Sequence, residues 1–245
     1  MRNYILILSF TFTLSSHAQR SDFKEINFQR ADNIANQYKG EELYNLPLLV
    51  HNLTAPLHTD VERFRAIYYW VCHNISGDYD LMYRTDRARK NLKNDPESLA
   101  VWNATFKKEV FVRLRNKKET LCTGYAYLVK EMSNLAGLEC EIVNGKGPTN
   151  KMKFEDLDGP NHSWNAIKLH GKWYLCDPTW SSGVIDMSAF LFEFNYEDTY
   201  FLMEPSTFAE DHQPLDTRWL LLAQDTLVIM TVPKVKVSSR VTIKQ

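Results

Sequence analysis

Three residue types that together can perform thiol chemistry occur in order along the chain: Cys122, His162 and Asp177. Cys122 directly precedes a helix-like pattern, and the backbone N–H groups and dipole of a helix N-terminus favour a thiolate over a thiol. An imidazole can complete an ion pair with that thiolate, and a carboxylate can fix the tautomer and orientation of the imidazole. The three types therefore predict nucleophilic attack on an amide carbonyl.

A predicted β-hairpin brings the histidine and the aspartate together. The segments HSWNAIKL and KWYLCDPTW are rich in aromatic and β-branched residues and flank a two-residue turn, His170-Gly171. A turn of this length fixes the register so that Trp164 lies opposite Asp177, and Cys176 falls on the other face. His162 then shares a face with Asp177 as its diagonal neighbour, roughly 7 to 8 Å away at Cα and within hydrogen-bonding reach.

The cysteine is predicted to begin a helix from Cys122 to Ala136. Gly124, near its start, permits close approach of another backbone, and Gly137 stands where a left-handed C-terminal residue is favoured. The apolar residues at helical spacing are Tyr125, Leu128, Val129, Met132 and Leu135. A strand at LECEIVNG and a long loop from Gly145 to Asn161 are predicted to follow.

Upstream of the cysteine the sequence predicts further helices. A short one spans Arg30 to Gly40, and a longer one spans Thr59 to Asp80. Thr59 with Glu62 three positions later forms a capping box pattern. The charged segment from Leu81 to Lys118 predicts a solvated connection, with a short element at Val110 to Leu114 just before the cysteine.

The N-terminus has the pattern of a secretory signal. Arg2 provides a positive charge, Ile5 to Leu14 an apolar stretch, and Ser16-His17-Ala18 the small residues of a cleavage site. Cleavage after Ala18 would export a secreted or periplasmic protein. No later stretch reaches the roughly eighteen apolar residues of a membrane span. The near balance of 29 basic against 30 acidic residues disfavours a nucleic-acid partner.

The remaining cysteines predict neither a metal site nor a cofactor. None of the four cysteines belongs to a C-x-x-C pair, and no ligand pair at zinc spacing accompanies Cys72-His73. Export would permit disulfides. We nevertheless expect Cys140 and Cys176 to pack in the core rather than to form a bond.

Aromatic residues make up 13% of the chain, which suits a large core or a groove that holds extended chains. Tyr125, Trp164 and Trp180 each lie within three positions of Cys122, His162 or Asp177 along the sequence. We expect these rings to line a substrate groove or to pack in the core, and not to take part in the reaction.

LCTGYAYLVKEMSNLAGLECEIVNG followed by PNHSWNAIKLHGKWYLCDPTW resembles the transglutaminase-like superfamily of papain-type folds, in particular its kyphoscoliosis-peptidase-like and bacterial secreted branch. The resemblance runs from about Asp60 to Leu222. It assigns the nucleophile to Cys122, the base to His162 and the orienting acid to Asp177. Thr120-Leu121 departs from the pattern, in which a glycine and a small apolar residue are common at these positions.

The resemblance implies an α+β fold. N-terminal helices and a cysteine-bearing central helix would pack on an antiparallel β-sheet, without calcium modules. The predicted organisation is a signal peptide at 1–18, a helical lead at 19–58, a transglutaminase-like core at 59–222 and a β-strand tail at 223–245.

Two functions are compatible with these features. The first is a secreted thiol enzyme that forms a thioester on Cys122 from a peptide, protein or peptidoglycan-type amide and passes the acyl group to water or an amine. The second is an inactive module whose aromatic groove binds an extended peptide or cell-wall strand. A thiolate that persists well below the usual cysteine pKa of about 8.5 favours the enzyme, and an ordinary thiol favours the binding module.

Overall fold

The computed structural model describes residues 20–148, 153–154, 157, 159–186 and 188–222. Those up to Leu221 belong to one compact unit. The predicted signal peptide, the predicted strands from Leu227 to Ile243 and part of the long loop lie outside the described residues. Among the helices of the described part, none is both long and apolar enough to cross a membrane.

Three helices come first along the chain: α1 (Gln29–Gln37), α2 (Leu46–Thr54) and α3 (Asp60–Asn74). The predicted capping box is confirmed, because the Thr59 hydroxyl accepts from the Glu62 N–H while the Glu62 carboxylate accepts from the Thr59 N–H. The apolar residues of α3 lie in the core against α1 and α2.

The expected solvated connection from Leu81 to Lys118 is wrong. The chain forms α4 (Tyr79–Asn91) and α5 (Pro96–Lys117) there. The Asp78 and Asp95 side chains accept from backbone N–H groups in the first turns of α4 and α5, which starts each helix. The charges that predicted a connection lie on helix surfaces, and α5 buries a narrow stripe: Phe106, Val110 and Leu114.

A short parallel pair of strands returns the chain to the core after these helices. β1 (Ser76–Gly77) pairs with β2 (Glu119–Thr120). Helix α6 (Cys122–Leu135) follows β2 after one residue, and Gly137 has the predicted left-handed φ of 77°. The predicted stripe of α6 is buried except Leu135, which is 49% exposed and therefore lies outside the core.

The predicted hairpin is present in the predicted register. β3 (Cys140–Lys146) pairs antiparallel with β4 (His162–Leu169), and β4 pairs antiparallel with β5 (Lys172–Cys176). The pairing ends with Asn165 opposite Cys176, one pair before the predicted pair of Trp164 and Asp177. β5 ends sooner than predicted, because Asp177 caps the next helix and breaks the strand.

Two short α-helices and three short strands follow this hairpin in the described part of the chain. α7 (Pro178–Ser182), β6 (Gly183–Asp186), β7 (Leu191–Phe194), α8 (Pro205–Phe208) and β8 (Gln213–Pro214) follow in order. β8 joins the edge of the sheet, whose strand order is β5-β4-β3-β8. Helix α6 packs against β3 and β4, and α3 packs against α6. The predicted α+β fold is confirmed.

Candidate active site

Cys122 lies at the N-terminus of α6, which no side chain caps. The N–H groups of Gly124 and Tyr125 donate to the Leu121 carbonyl at 2.9 and 3.1 Å. The N–H groups of Cys122 and Thr123 precede this hydrogen-bond ladder, as in the first turn of any α-helix. They supply positive potential beside the thiol, and such a position stabilises negative charge.

The turn before the cysteine packs tightly on the first turn of α6. A Cβ atom added to Gly124 would lie 1.9 Å from Thr120 Oγ1, so only glycine fits here. We expected another backbone to approach this glycine. Instead the fully buried side chain of Thr120, two residues before Cys122, occupies the space. This contact fixes the direction from which the chain enters α6.

His162 is the first residue of β4, and it contacts Asp177 as the register predicts. Its Nε2 lies 2.6 Å from Asp177 Oδ2. The imidazole is 8% exposed and stacks on Trp180, with ring centroids 5.0 Å apart and planes inclined by 20°. The strand, the carboxylate and the indole together fix its orientation.

Asp177 is fully buried and its carboxylate accepts four hydrogen bonds. Oδ1 accepts from the N–H groups of Thr179 and Trp180 at 2.8 and 3.2 Å, which also caps α7. Oδ2 accepts from the Nε2 atoms of His162 and His212, at 2.6 and 3.1 Å. Burial raises the pKa of Asp177, but the charges and hydrogen bonds of the two histidines outweigh it and hold this pKa well below its usual range.

The thiol and the imidazole form a coupled pair. Burial alone would raise the pKa of Cys122, but the hydrogen bond and charge of His162 lower it below the ordinary thiol value, with help from the Ser163 N–H. Burial likewise opposes the charge on His162, yet Asp177 and then Cys122 raise its pKa to about 10. Because Nε2 faces Asp177, Nδ1 is the nitrogen left for the thiol. The arrangement favours a thiolate beside an imidazolium.

A family model described as "Transglutaminase-like superfamily" matches residues 48–178, which include Cys122, His162 and Asp177. The chain belongs to the transglutaminase-like superfamily. It is 37% identical over 200 residues to "Kyphoscoliosis peptidase" from Homo sapiens, covering 80% of this chain and 27% of that protein. It is 26% identical over 220 residues to "Hillarin" from Drosophila melanogaster, covering 80% of this chain and 23% of that protein. This transglutaminase-like chain thus spans about a quarter of the length of these relatives.

One solved structure, "Crystal structure of a TGase", is similar over 62% of this chain and 32% of its own, with 17% identity and a TM-score of 0.36.

Two of the three aromatic residues expected to line a groove are core residues of this transglutaminase-like domain. Tyr125 is 1% exposed and donates its hydroxyl to the Ile75 carbonyl at 2.8 Å. Trp164 is fully buried beside Phe208. Neither ring can line a surface groove, so the groove alternative is wrong for both and the core alternative holds. Trp180 is half-buried over His162 and is the one of the three with exposed surface beside the site.

Cys122 differs from the other three cysteines in both exposure and acidity. All four cysteines are unbonded, so core packing of Cys140 and Cys176 without a disulfide is confirmed. Burial raises the pKa of the Cys72 and Cys176 thiols far above the usual value and that of Cys140 to about 12. A reagent that requires thiolate therefore meets one reactive cysteine in the folded protein.

His212 is the residue of this site that the sequence did not reveal. It lies in the bend between α8 and β8, outside any periodic pattern, and a lone histidine beside Asp211 carries no spacing that predicts a role. With His162 and Asp177 it forms a set of metal-ligand types whose donor atoms lie within 4.8 Å of one another. The Nε2 atoms and the Oδ2 atom that would ligate a cation already form hydrogen bonds with one another. We therefore describe these three residues as a hydrogen-bonded cluster.

Proposed function

We propose that this protein is an exported thiol hydrolase that cleaves amide bonds in peptides or proteins, with Cys122 as nucleophile, His162 as proton carrier and Asp177 as orienting acid. The observation that supports it most is the contact of His162 Nε2 with the buried carboxylate of Asp177 at 2.6 Å, together with the lowering of the Cys122 pKa by His162. In its environment each group is biased to the charge state that the chemistry needs.

The first half-reaction forms a thioester. The Cys122 thiolate attacks the amide carbon, so that an S–C bond forms and the carbonyl electrons move to oxygen. The N–H of Cys122 at the start of α6 is the candidate donor to this oxyanion. When the intermediate collapses, the C–N bond breaks and the imidazolium of His162 gives its proton to the leaving amine.

The second half-reaction returns the free enzyme. Neutral His162 takes a proton from water, the oxygen attacks the thioester carbon, and the C–S bond breaks to release a carboxylic acid and the thiolate. Water is the acceptor in this proposal because a relative at 37% identity is named a peptidase. A lysine amine in place of water would make the enzyme a cross-linker.

Export is part of the proposal and is supported by the signal pattern of residues 1–18. N-terminal sequencing of protein recovered outside the cytoplasm tests it directly. The first residue should be Gln19. Recovery of the chain from the cytoplasm with its N-terminal segment intact would contradict export without affecting the chemistry.

The activity is tested with fluorescent casein as a protein substrate and with peptidoglycan sacculi in parallel. The wild-type protein and the Cys140→Ala control should release peptides at similar rates, and Cys122→Ala should lose at least about 10³-fold. Equal hydrolysis by Cys122→Ala would contradict the nucleophile. Incorporation of a fluorescent primary amine into casein in preference to hydrolysis would contradict water as the acceptor.

A further inference from the structure

A second histidine contacts the same carboxylate oxygen of Asp177 that His162 contacts. The His212 Nε2 lies 3.1 Å from Asp177 Oδ2, and its Nδ1 lies 2.5 Å from Asp211 Oδ1. The imidazole is fully buried, whereas the Asp211 side chain is 29% exposed and accepts from the Tyr200 hydroxyl at 3.2 Å. The catalytic carboxylate is thus joined through His212 to a second carboxylate near the surface.

Aromatic rings hold this imidazole in place. His212 stacks on Phe208 with ring centroids 3.8 Å apart and planes inclined by 24°. The ring centroid of Trp180 lies 4.4 Å from that of His212, and Trp164 packs edge-on with its centroid 4.9 Å away. A ring packed on several sides cannot turn without moving a core tryptophan, so its two hydrogen bonds are set by packing.

The hydrogen-bond capacity of Asp177 fixes where the protons lie. An ionised carboxylate only accepts, and Oδ1 is already occupied by two backbone N–H groups. Both imidazoles that contact Oδ2 must therefore donate from Nε2. This places a proton on Nε2 of His162, which leaves its Nδ1 for Cys122, and a proton on Nε2 of His212.

We propose that His212 is a positioning residue that acts on the Cys122 nucleophile through Asp177, an inference that rests on the proposed function. Its Nε2–H fills the last acceptor site of the buried carboxylate and fixes the direction of the lone pair that orients His162. The titratable groups around His212 are Asp177, Asp211, His162 and Tyr200. Without the Nε2 donor, Asp177 retains a buried, unfilled acceptor site and His162 loses part of its alignment.

Two substitutions of similar size separate the hydrogen bond from the packing. His212→Gln and His212→Leu both lose the ring stack, but only the glutamine amide can donate to Asp177. His51→Gln, on the exposed side of α2, is the matched control. The rate of Cys122 carboxamidomethylation is measured from pH 5 to 9, together with kcat and KM on casein.

His212→Leu should lose about tenfold or more in kcat with KM nearly unchanged, and its Cys122 alkylation profile should move to higher pH. His212→Gln should retain kcat within about threefold of wild type, and His51→Gln should match wild type. Equal losses in the Leu and Gln variants, or wild-type profiles in both, would overturn the proposal.

A measurement on the wild-type protein does not depend on whether the variants fold. Histidine-selective ¹⁵N NMR identifies which ring nitrogens carry protons, and we expect a protonated Nε2 on His212. An unprotonated Nε2 would refute the positioning contact even if Cys122 is reactive. Conversely, an unreactive Cys122 in the wild-type protein would refute the proposed function, while the measured tautomer of His212 would still stand.

Discussion

The substitution Gly124→Ala tests whether the packing of Thr120 on Gly124 fixes the turn that precedes α6. The added Cβ would lie 1.9 Å from Thr120 Oγ1, 2.8 Å from its Cβ and 2.9 Å from its Cγ2. Rotation of the threonine side chain does not remove the clash, because the Cβ of Thr120 is fixed by its backbone and stays 2.8 Å from the added atom. Thr120 is fully buried and its carbonyl accepts from the Asp78 N–H at 2.9 Å, so its backbone has little room to retreat.

The expected cost follows from two opposing terms. Overpacking a rigid site costs about 3 kcal/mol at the upper end of its usual range. Alanine in place of glycine inside a helix returns roughly 1 kcal/mol. We therefore expect Gly124→Ala to lower the free energy of unfolding by about 2 kcal/mol, measured by urea unfolding followed through tryptophan fluorescence. The displaced turn should also slow Cys122 alkylation.

A double-mutant cycle with Thr120→Ala isolates the clash. The Thr120 hydroxyl is buried without a hydrogen-bond partner among the described residues, so Thr120→Ala alone should cost less than about 1 kcal/mol. In the double variant the remaining contact is relieved by a small shift, and the coupling free energy should be about 1 to 2 kcal/mol. Strictly additive effects, or an unchanged stability of Gly124→Ala, would refute this description of the turn.

Three further outcomes follow from the site. Asp177→Asn should lower kcat by at least about 10³-fold and the free energy of unfolding by about 3 kcal/mol at pH 7. Since the folded pKa of Asp177 is depressed, its stabilisation exists above the unfolded value of about 3.9 and is lost as pH falls, so the variant should show a weaker acid dependence in urea unfolding. On the alkaline side, kcat on casein should fall as His162 loses its proton near pH 10 while the alkylation rate of Cys122 is maintained; a parallel fall of both would contradict the assignment. Native protein should take up one iodoacetamide label at pH 7 by intact mass spectrometry and Cys122→Ala none, whereas labelling of Cys72 or Cys140 at a comparable rate would contradict their buried, neutral state.

The contact between His162 and Asp177 could be predicted from the sequence because a strand has a period of two and a two-residue turn leaves one register. The same is true of the capping box at Thr59, where both partners lie within one helical turn. Local rules of this kind fix the geometry whenever the two residues belong to one element or one hairpin.

Features that depend on distant segments could not be predicted in this way. His212 reaches Asp177 from the bend after α8, and its place is set by packing on Phe208 and Trp164 that no local pattern encodes. Tyr125 and Trp164 are aromatic in either a groove or a core, so residue type could not separate the two. The helices from Tyr79 to Lys117 were missed because they contain many more charged surface residues than buried apolar ones, so the helical period is hard to see in the sequence.

The proposed mechanism requires an ion pair between Cys122 and His162. The decisive measurement is the pH dependence of Cys122 alkylation in the wild-type protein and in His162→Asn, followed by mass spectrometry. We predict that the wild-type thiol stays reactive well below the ordinary cysteine pKa of about 8.5, and that His162→Asn moves the profile to that value or higher because burial then acts unopposed. Identical profiles with a midpoint at or above about 8.5 in both proteins would contradict the account.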